Sequence, residues 1–283
     1  MYKLIDGKSI STEIINELKT RVDCLKVSGK NIVLADILVG DDPASLVYAN
    51  SKSKKFNELG IEFNLIRLDS SISESELINK IIDLNNDQSI SGIFVEMPLP
   101  SHICANKVVD MILPNKDLDG FSKMSLGALF SGENGFYPCT AEGIVELLKR
   151  SNIEISGKHC VVVGRSNVVG KPVAILLLKE NATVTICHSK TKNLEEICKM
   201  ADILIVAIGK AKFIDDKYVK EGAIVVDAGI NRIEKDGKSI ICGDVDFDKV
   251  ANHTSFITPV PGGVGPMTTT MLIRHCVKCL NYE

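Results

Sequence analysis

The sequence predicts an α/β protein made of two parallel α/β domains, and three observations carry that expectation. Apolar runs of strand length alternate with segments of helical period along both halves of the chain, and strands separated by helices pair in parallel through crossover helices. The alternation breaks around YPCT at 137–140, where one unit ends and a second begins. The 283 residues, 45% hydrophobic and 24% charged, are enough for one large or two ordinary domains with real cores, which excludes disordered and fibrous classes.

The elements follow in order. Ile10, Ile14, Ile15, Leu18, Val22 and Leu25 recur at helical spacing and predict a first helix. Asp42 and Pro43 start a second that ends near Gly60, because proline suits a first helical turn. Ser73 with Glu76 forms a capping box for a third, which turns Leu77, Ile78, Ile81 and Ile82 inward. Strands are expected at 32–39, 63–68 and 90–95. After a helix at 141–150, the second unit has strands at 159–163, 183–187, 203–208 and 224–227, with helices after Gly170 and Lys192. The Pro- and Gly-rich stretch 258–267 reads as a connection, and a last helix runs over 268–280. No repeat of solenoid type and no low-complexity segment interrupts the pattern.

Composition narrows the function classes. A net charge of -3 and a pI near 6.0 give no global attraction to nucleic acid or to an anionic membrane. No apolar stretch reaches the roughly 18 to 20 residues of a membrane span, and the first residues lack a basic region followed by an apolar one, so a cytoplasmic protein is expected. Nine cysteines without a repeating spacing read as reduced thiols, mostly buried. Cys276 and Cys279 form a lone CxxC beside His275; without a second pair at zinc-site spacing they read as faces of the terminal helix, and no metal is expected.

A strand ending at Gly164 and a helix opening near Val173 make Arg165 to Lys171 the turn between them. Glycines at both ends allow a tight backbone and the close approach of a phosphate, and the first helical amides offer hydrogen bonds and a positive dipole. The spacing is Gly-x5-Gly, not the GxGxxG fingerprint, so spacing alone does not separate a dinucleotide site from a plain strand–helix turn. The next strand ends in CHSK at 187–190 with no acid to take the ribose hydroxyls. Arg165 and Lys190 there favour a phosphate, with Ser166 and Ser189 adding hydrogen bonds, which selects NADP over NAD; the alternative is that both cations are merely solvated.

Tyr48 and Lys52 are four apart on the second helix and share a face. A phenol beside a desolvated amine is a proton-handling pair, although a core tyrosine and a surface lysine have the same spacing. Three further segments have the look of site-bearing strand ends and rigid loops: GIFVEMPLP at 92–100, PNKDLDG at 114–120 and PGGVGPMT at 261–268.

Together with VGDDPASLVYANSK at 39–52, PCT at 138–140, GRSNVVGKP at 164–172, HSKT at 188–191, DAGINR at 227–232 and PVPGGVGPMT at 259–268, these segments resemble the bifunctional methylenetetrahydrofolate dehydrogenase/cyclohydrolase family through nearly the whole chain. The resemblance implies a folate-binding catalytic domain of residues 1–138 plus 264–283, a Rossmann-like NADP-binding domain of residues 139–263, and an active site in the cleft between. It implies tetrahydrofolate derivatives as substrates, NADP as cofactor and a homodimer as the assembly. In that pattern Tyr48 lines the folate pocket, Lys52 acts in cyclohydrolysis, Asp119 holds the pterin ring, and Pro261 and Gly262 shape the wall between folate and nicotinamide. Gly164, Arg165, Ser166, Ser189 and Ile230 match its NADP-contacting positions.

The chain departs from the family pattern at Glu96, where the family has glutamine facing the catalytic lysine. An ionised Glu96 near Lys52 favours the ammonium and weakens the lysine as a base, whereas a protonated one mimics the amide and one turned to solvent changes nothing. Ser125, where the family has asparagine, is a milder departure affecting a hydrogen bond. The resulting expectation is a retained dehydrogenase and a weakened cyclohydrolase, with a monofunctional dehydrogenase or a silent folate- and nucleotide-binding module as the alternatives.

Overall fold

Two sheets organise the chain. The structure, a computed structural model, describes residues 2–235 and 237–280, apart from the side chains of Ala44, Tyr48, Ser51, Lys235 and Lys238. In order come β1 (Lys3–Leu4), α1 (Gly7–Val27), β2 (Val33–Val39), α2 (Pro43–Glu58), β3 (Glu62–Leu68), α3 (Glu74–Asn86), β4 (Gly92–Val95), α4 (Ala105–Val109) and α5 (Lys123–Ser131). The second half contributes α6 (Cys139–Arg150), β5 (His159–Val163), α7 (Gly170–Lys179), β6 (Thr183–Cys187), α8 (Leu194–Cys198), β7 (Ile203–Val206) and β8 (Ala223–Asp227). It closes with β9 (Asn231–Lys235), β10 (Lys238–Cys242), α9 (Phe247–Val250), β11 (Thr254–Ile257) and α10 (Val264–Cys279).

One compact unit comprises Ile14–Tyr137 with Leu272–Glu283. Its sheet, in order β3-β2-β4, is parallel throughout, with Asp36 opposite Leu65 on one side and Phe94 on the other. The alternation of β2 sorts its two faces. Ala35, Ile37 and Val39 join Leu77, Ile81, Leu84, Ile93 and Val95 in a core under α3. Asp36 falls on the opposite set, with α2. The capping box on α3 forms as the spacing predicts, with Ser73 Oγ accepting from the Glu76 amide and the Glu76 carboxylate accepting from the Ser73 amide. Ile82, expected inward, is exposed instead, and Leu84 takes the buried position, because 77, 81 and 84 trace a narrower stripe than the sequence pattern allowed.

The other unit comprises Met1–Glu13 with Pro138–Met271. Its six strands run β1-β11-β8-β7-β5-β6, all parallel, beside an antiparallel β9–β10 hairpin. Residues 1–13 and 264–271 group here, where the sequence expectation gave them to the folate domain. The pairing of β1 with β11 and the contact of Gly7 with Gly263, too close for a Cβ, hold the first segment to this unit, and the close approach of Gly143 to Met267 holds the second. The strands β1, β9, β10 and β11 carry no strong sequence period and were not expected. Helix α10 begins at Val264 rather than at 268, since Pro266 lies in the first turn, where its missing amide is not needed.

Candidate active site

In the first unit the site grows from a helix start. Asp42 caps α2 by accepting the Ser45 amide at 2.8 Å, with Pro43 in the first turn. Three turns on, Lys52 points into the sheet and is only 7% exposed. Its Nζ lies 2.6 Å from Glu96 Oε1 and 3.3 Å from Asp36 Oδ1, and 4.6 Å from the centre of the Phe94 ring. Phe56, Phe63 and Phe94 wall this corner, with ring centres 5.5 to 6.5 Å apart. Glu96, at the end of β4, is 8% exposed and fixed by its amide, which donates to the Ile37 carbonyl at 2.9 Å. Glu96 therefore turns onto Lys52 and not to solvent. Tyr48 is one turn before Lys52 on α2, and its side chain lies outside the described part of the structure.

The KDLDG loop brings Asp119 into the same field. Lys116 Nζ donates to the carbonyls of Leu84, Asn85 and Asp87 at 2.8 to 2.9 Å, satisfying the C-terminal end of α3. Asp117 accepts the amides of Gly120 and Ser122 and the Ser125 hydroxyl, so Ser125 holds the loop closed. Gly120, at φ +71, passes so close to Tyr137 that a Cβ would sit 2.5 Å from its carbonyl carbon. His275 Nδ1 donates to the Leu118 carbonyl at 2.7 Å, which fixes its tautomer because a carbonyl only accepts. Lys116 and Asp117 are thus structural, and Asp119 is left to act.

The electrostatics couple these groups. Burial by itself would lower the Lys52 pKa, but the charges of Asp36, Glu96 and Asp119 outweigh it and hold the amine well above its ordinary range, as an ammonium. Burial pushes Asp119 up to about 6, with Lys52 pulling it back and Asp117 and Glu96 adding to the rise. Asp36, which sequence reasoning did not single out, is the third carboxyl of the group, beside Glu96 and Asp119. Its signal was available: one carboxylate in an otherwise apolar strand, VLADILV.

In the second unit, β5 runs into α7 through Gly164 and Gly170. A Cβ on Gly164 would lie 2.2 Å from the Ala207 carbonyl oxygen, and one on Gly170 would lie 2.4 Å from that of Gly164, so both close approaches demand glycine. Ser166 Oγ accepts the amides of Val169 and Gly170 and so caps the start of α7. A cavity of about 280 Å³ opens over this turn, lined by Gly164, Arg165, Ser166 and Ser189. Its second cation is Lys210, not Lys190, and no carboxylate is among the described residues that line it. Ile230, Pro261 and Gly262 line a second cavity of about 190 Å³, with Ile230 65% exposed. Two buried carboxylates, also missed in the sequence, set these loops. Asp244 accepts the amides of Ile208, Gly209 and Lys210 at 2.7 to 2.9 Å and the Asn231 side-chain amide at 2.8 Å, and Asp227 accepts those of Gly229, Asp244 and Val245.

Comparison with known proteins resolves what such a pair of sites belongs to. The model of the tetrahydrofolate dehydrogenase/cyclohydrolase catalytic domain matches residues 5–119, and that of the family's NAD(P)-binding domain matches residues 138–283. The chain belongs to the tetrahydrofolate dehydrogenase/cyclohydrolase family. Among curated members, the bifunctional protein FolD of Agathobacter rectalis is 56% identical over 99% of both chains, and that of Halalkalibacterium halodurans is 54% identical over 97% of both. Among solved structures, the FolD methylenetetrahydrofolate dehydrogenase/cyclohydrolase of Campylobacter jejuni superposes with a TM-score of 0.95 at 46% identity, covering 99% of each chain. The Trypanosoma brucei methylenetetrahydrofolate dehydrogenase-cyclohydrolase, solved with NADP and an inhibitor, superposes at 0.91 with 34% identity over 99% of this chain and 97% of that one. For this member of the dehydrogenase/cyclohydrolase family, Glu96 against Lys52 is the feature that bears most on the chemistry.

Proposed function

We propose that this chain oxidises 5,10-methylenetetrahydrofolate to 5,10-methenyltetrahydrofolate with NADP and hydrolyses the product to 10-formyltetrahydrofolate, the second step being slowed by Glu96. The observation that carries the reading is the meeting of Lys52, Glu96 and Asp119, distant in sequence, in one electrostatic cluster. The acid-free cavity with Arg165 and Lys210 fits a phosphorylated dinucleotide, and the two glycines leave room for its close approach. NADP held over the glycine turn by Gly164, Arg165, Ser166 and Ser189 would supply hydride-accepting chemistry toward the methylene carbon. The cation left behind is stabilised by its two flanking nitrogens, so the oxidation asks the protein for alignment more than for acid or base.

On this reading Tyr48 lines the pterin pocket, Asp119 holds the pterin ring, and Pro261 and Gly262 shape the wall beside the nicotinamide. Gly164, Arg165, Ser166, Ser189 and Ile230 contact NADP. Attack of water on the methenyl carbon and the ring opening that follows need proton transfer, and Lys52 is the group to supply it. An ammonium held beside Glu96 has no lone pair to accept a proton and gives up its own reluctantly, so the base-assisted part of hydrolysis suffers. The same contact favours the second reading, a chain whose measurable activity is the dehydrogenase alone. The family context further supports a cytoplasmic homodimer, which sedimentation at micromolar concentration tests.

Separate assays distinguish the readings. Purified protein given saturating 5,10-methylenetetrahydrofolate reduces NADP, and a failure to do so overturns the proposal in favour of a silent binding module. Given 5,10-methenyltetrahydrofolate, it hydrolyses the substrate above the uncatalysed rate if bifunctional and at that rate if it is a dehydrogenase only.

A further inference from the structure

Asp36 has no part in the reading above, yet its surroundings assign it one. It is fully buried in the central strand of its sheet, between β3 and β4, where an unpaired carboxylate costs several kcal/mol. Among the described residues its cationic partner is Lys52, at 3.3 Å, and Lys52 is already in contact with Glu96 at 2.6 Å. The cluster thus sets two carboxyls against one ammonium in a corner walled by Phe63 and Phe94. With both carboxyls ionised, it would carry a net negative charge in an apolar setting.

Hydrogen bonding points the same way. Among the described residues, the buried side-chain oxygens without a hydrogen-bond donor are Asp36 Oδ2 and Glu96 Oε1. Glu96 Oε1 meets Lys52 Nζ as an ion pair at 2.6 Å, while Asp36 Oδ2 faces no donor among the described residues. Asp36 Oδ1 and Glu96 Oε1 converge on the same Lys52 Nζ, at 3.3 and 2.6 Å, and two carboxyls brought together in one buried pocket bond to each other only when one carries a proton. A single proton on the pair supplies the absent donor and removes the excess charge.

We propose that Asp36 and Glu96 share one proton and together fix Lys52 as an ammonium ion, which makes Asp36 a positioning residue for Lys52. Burial pushes Asp36 up to about 7, with Lys52 pulling it back and Glu96 raising it further by charge and hydrogen bond. The groups that face the cluster are Lys52 from α2, Glu96 from the end of β4 and Asp119 from its loop; Asp117, His275 and Cys276 act on it through Asp119 or Lys52. When the shared proton leaves to solvent, the second negative charge binds the Lys52 proton more tightly. The lysine is then a poorer base at the very pH where a free amine would become a better one.

The inference rests on the proposed role of Lys52 in hydrolysis, and its test separates the two. The full chain is labelled with 13C at the aspartate side-chain carboxyl and titrated by NMR, and the Asp36 signal is identified by its loss in Asp36→Asn, or in Asp36→Val should the asparagine variant not fold. The expected midpoint is near neutral pH, falling by at least one unit in Glu96→Gln. A midpoint in the ordinary carboxylate range, or one that Glu96→Gln leaves in place, overturns the shared proton. As a second readout, hydrolysis of 5,10-methenyltetrahydrofolate by Asp36→Asn, corrected for the uncatalysed rate, begins its rise with pH at least one unit lower than in the wild type. A purely structural role for Asp36 would lower the rate at every pH without moving that rise, and this result overturns the positioning role. The expected NMR result with hydrolysis indifferent to pH in every variant retires the assignment of Lys52 and leaves the carboxyl pair standing.

Discussion

The Asp227 carboxylate accepts the backbone amide of Asp244 at 3.0 Å, and through that bond one buried acid orients another. Asp244 then gathers three successive amides, Ile208 to Lys210, together with the Asn231 side chain, so the loops after β7 and β8 are held by a two-carboxylate relay. Gly243 and Gly229 make the approach possible, since a Cβ on either would fall within 2.3 Å of one of these carboxylates. Loops fixed in this way need no ligand to preorganise them, and Lys210 sits at the end of one.

Asp244→Ala leaves four donors without their acceptor. At about 1 kcal/mol for each donor left unsatisfied, after partial rescue by water, the loss is about 4 kcal/mol, or a fall in Tm of about 8–16 °C. NADP affinity falls with it, because Lys210 loses its placement. Calorimetry and nucleotide titration check both, and an unchanged Tm would show that the relay does not hold these loops.

Arg165 and Lys210 are the two cations of the cavity over the glycine turn. Replacing either with alanine weakens NADP by about tenfold, as for the loss of one charge-assisted phosphate contact, and weakens NAD by less. Fluorescence titration with both nucleotides gives the ratio. Equal losses for NADP and NAD would assign the cations to the pyrophosphate instead of the ribose phosphate. Lys190→Ala, outside that lining, has the smallest effect of the three.

Asp36 makes stability depend on pH in a defined direction. Its folded pKa, about 7, lies above the ordinary aspartate value of 3.8, so the folded state binds the proton more tightly than the unfolded chain does. The stability this confers is complete below about 3.8 and is lost as pH rises through about 7. Asp36→Asn lacks this term. Its stability relative to the wild type therefore improves by on the order of 1–3 kcal/mol between pH 5 and pH 8, as measured by urea unfolding at both values. A difference that does not change with pH would place the Asp36 carboxylate in an ordinary ionised state.

Much of this was legible in the sequence, for identifiable reasons. Strand β5 was bounded correctly because an apolar run ended on Gly164, β6 because β-branched Thr, Val and Ile gave way to the polar HSK, and α2 and α3 because proline and the capping box mark helix starts chemically. The family resemblance put the Glu96 position opposite Lys52 but left open a side chain turned to solvent, since the direction of one side chain at a strand end has no sequence period. The short strands β1 and β11 were not legible, since their place is set by pairing with distant segments. The roles of Asp36, Asp227 and Asp244 were hidden for a related reason. Each is a carboxylate whose partners come from elsewhere in the chain, and the apolar run around Asp36 signals burial without naming those partners.

The central claim is that Glu96 holds Lys52 as an ammonium and thereby slows hydrolysis. Its most direct measurement is the rate of 5,10-methenyltetrahydrofolate hydrolysis by Glu96→Gln against the wild type at pH 7.5 and equal folded concentration. Lowering the Lys52 pKa by about half a unit to one unit raises the free-amine fraction by about three- to tenfold, and a rate increase of that size is the predicted result. Equal rates, or slower hydrolysis by the glutamine variant, would contradict it.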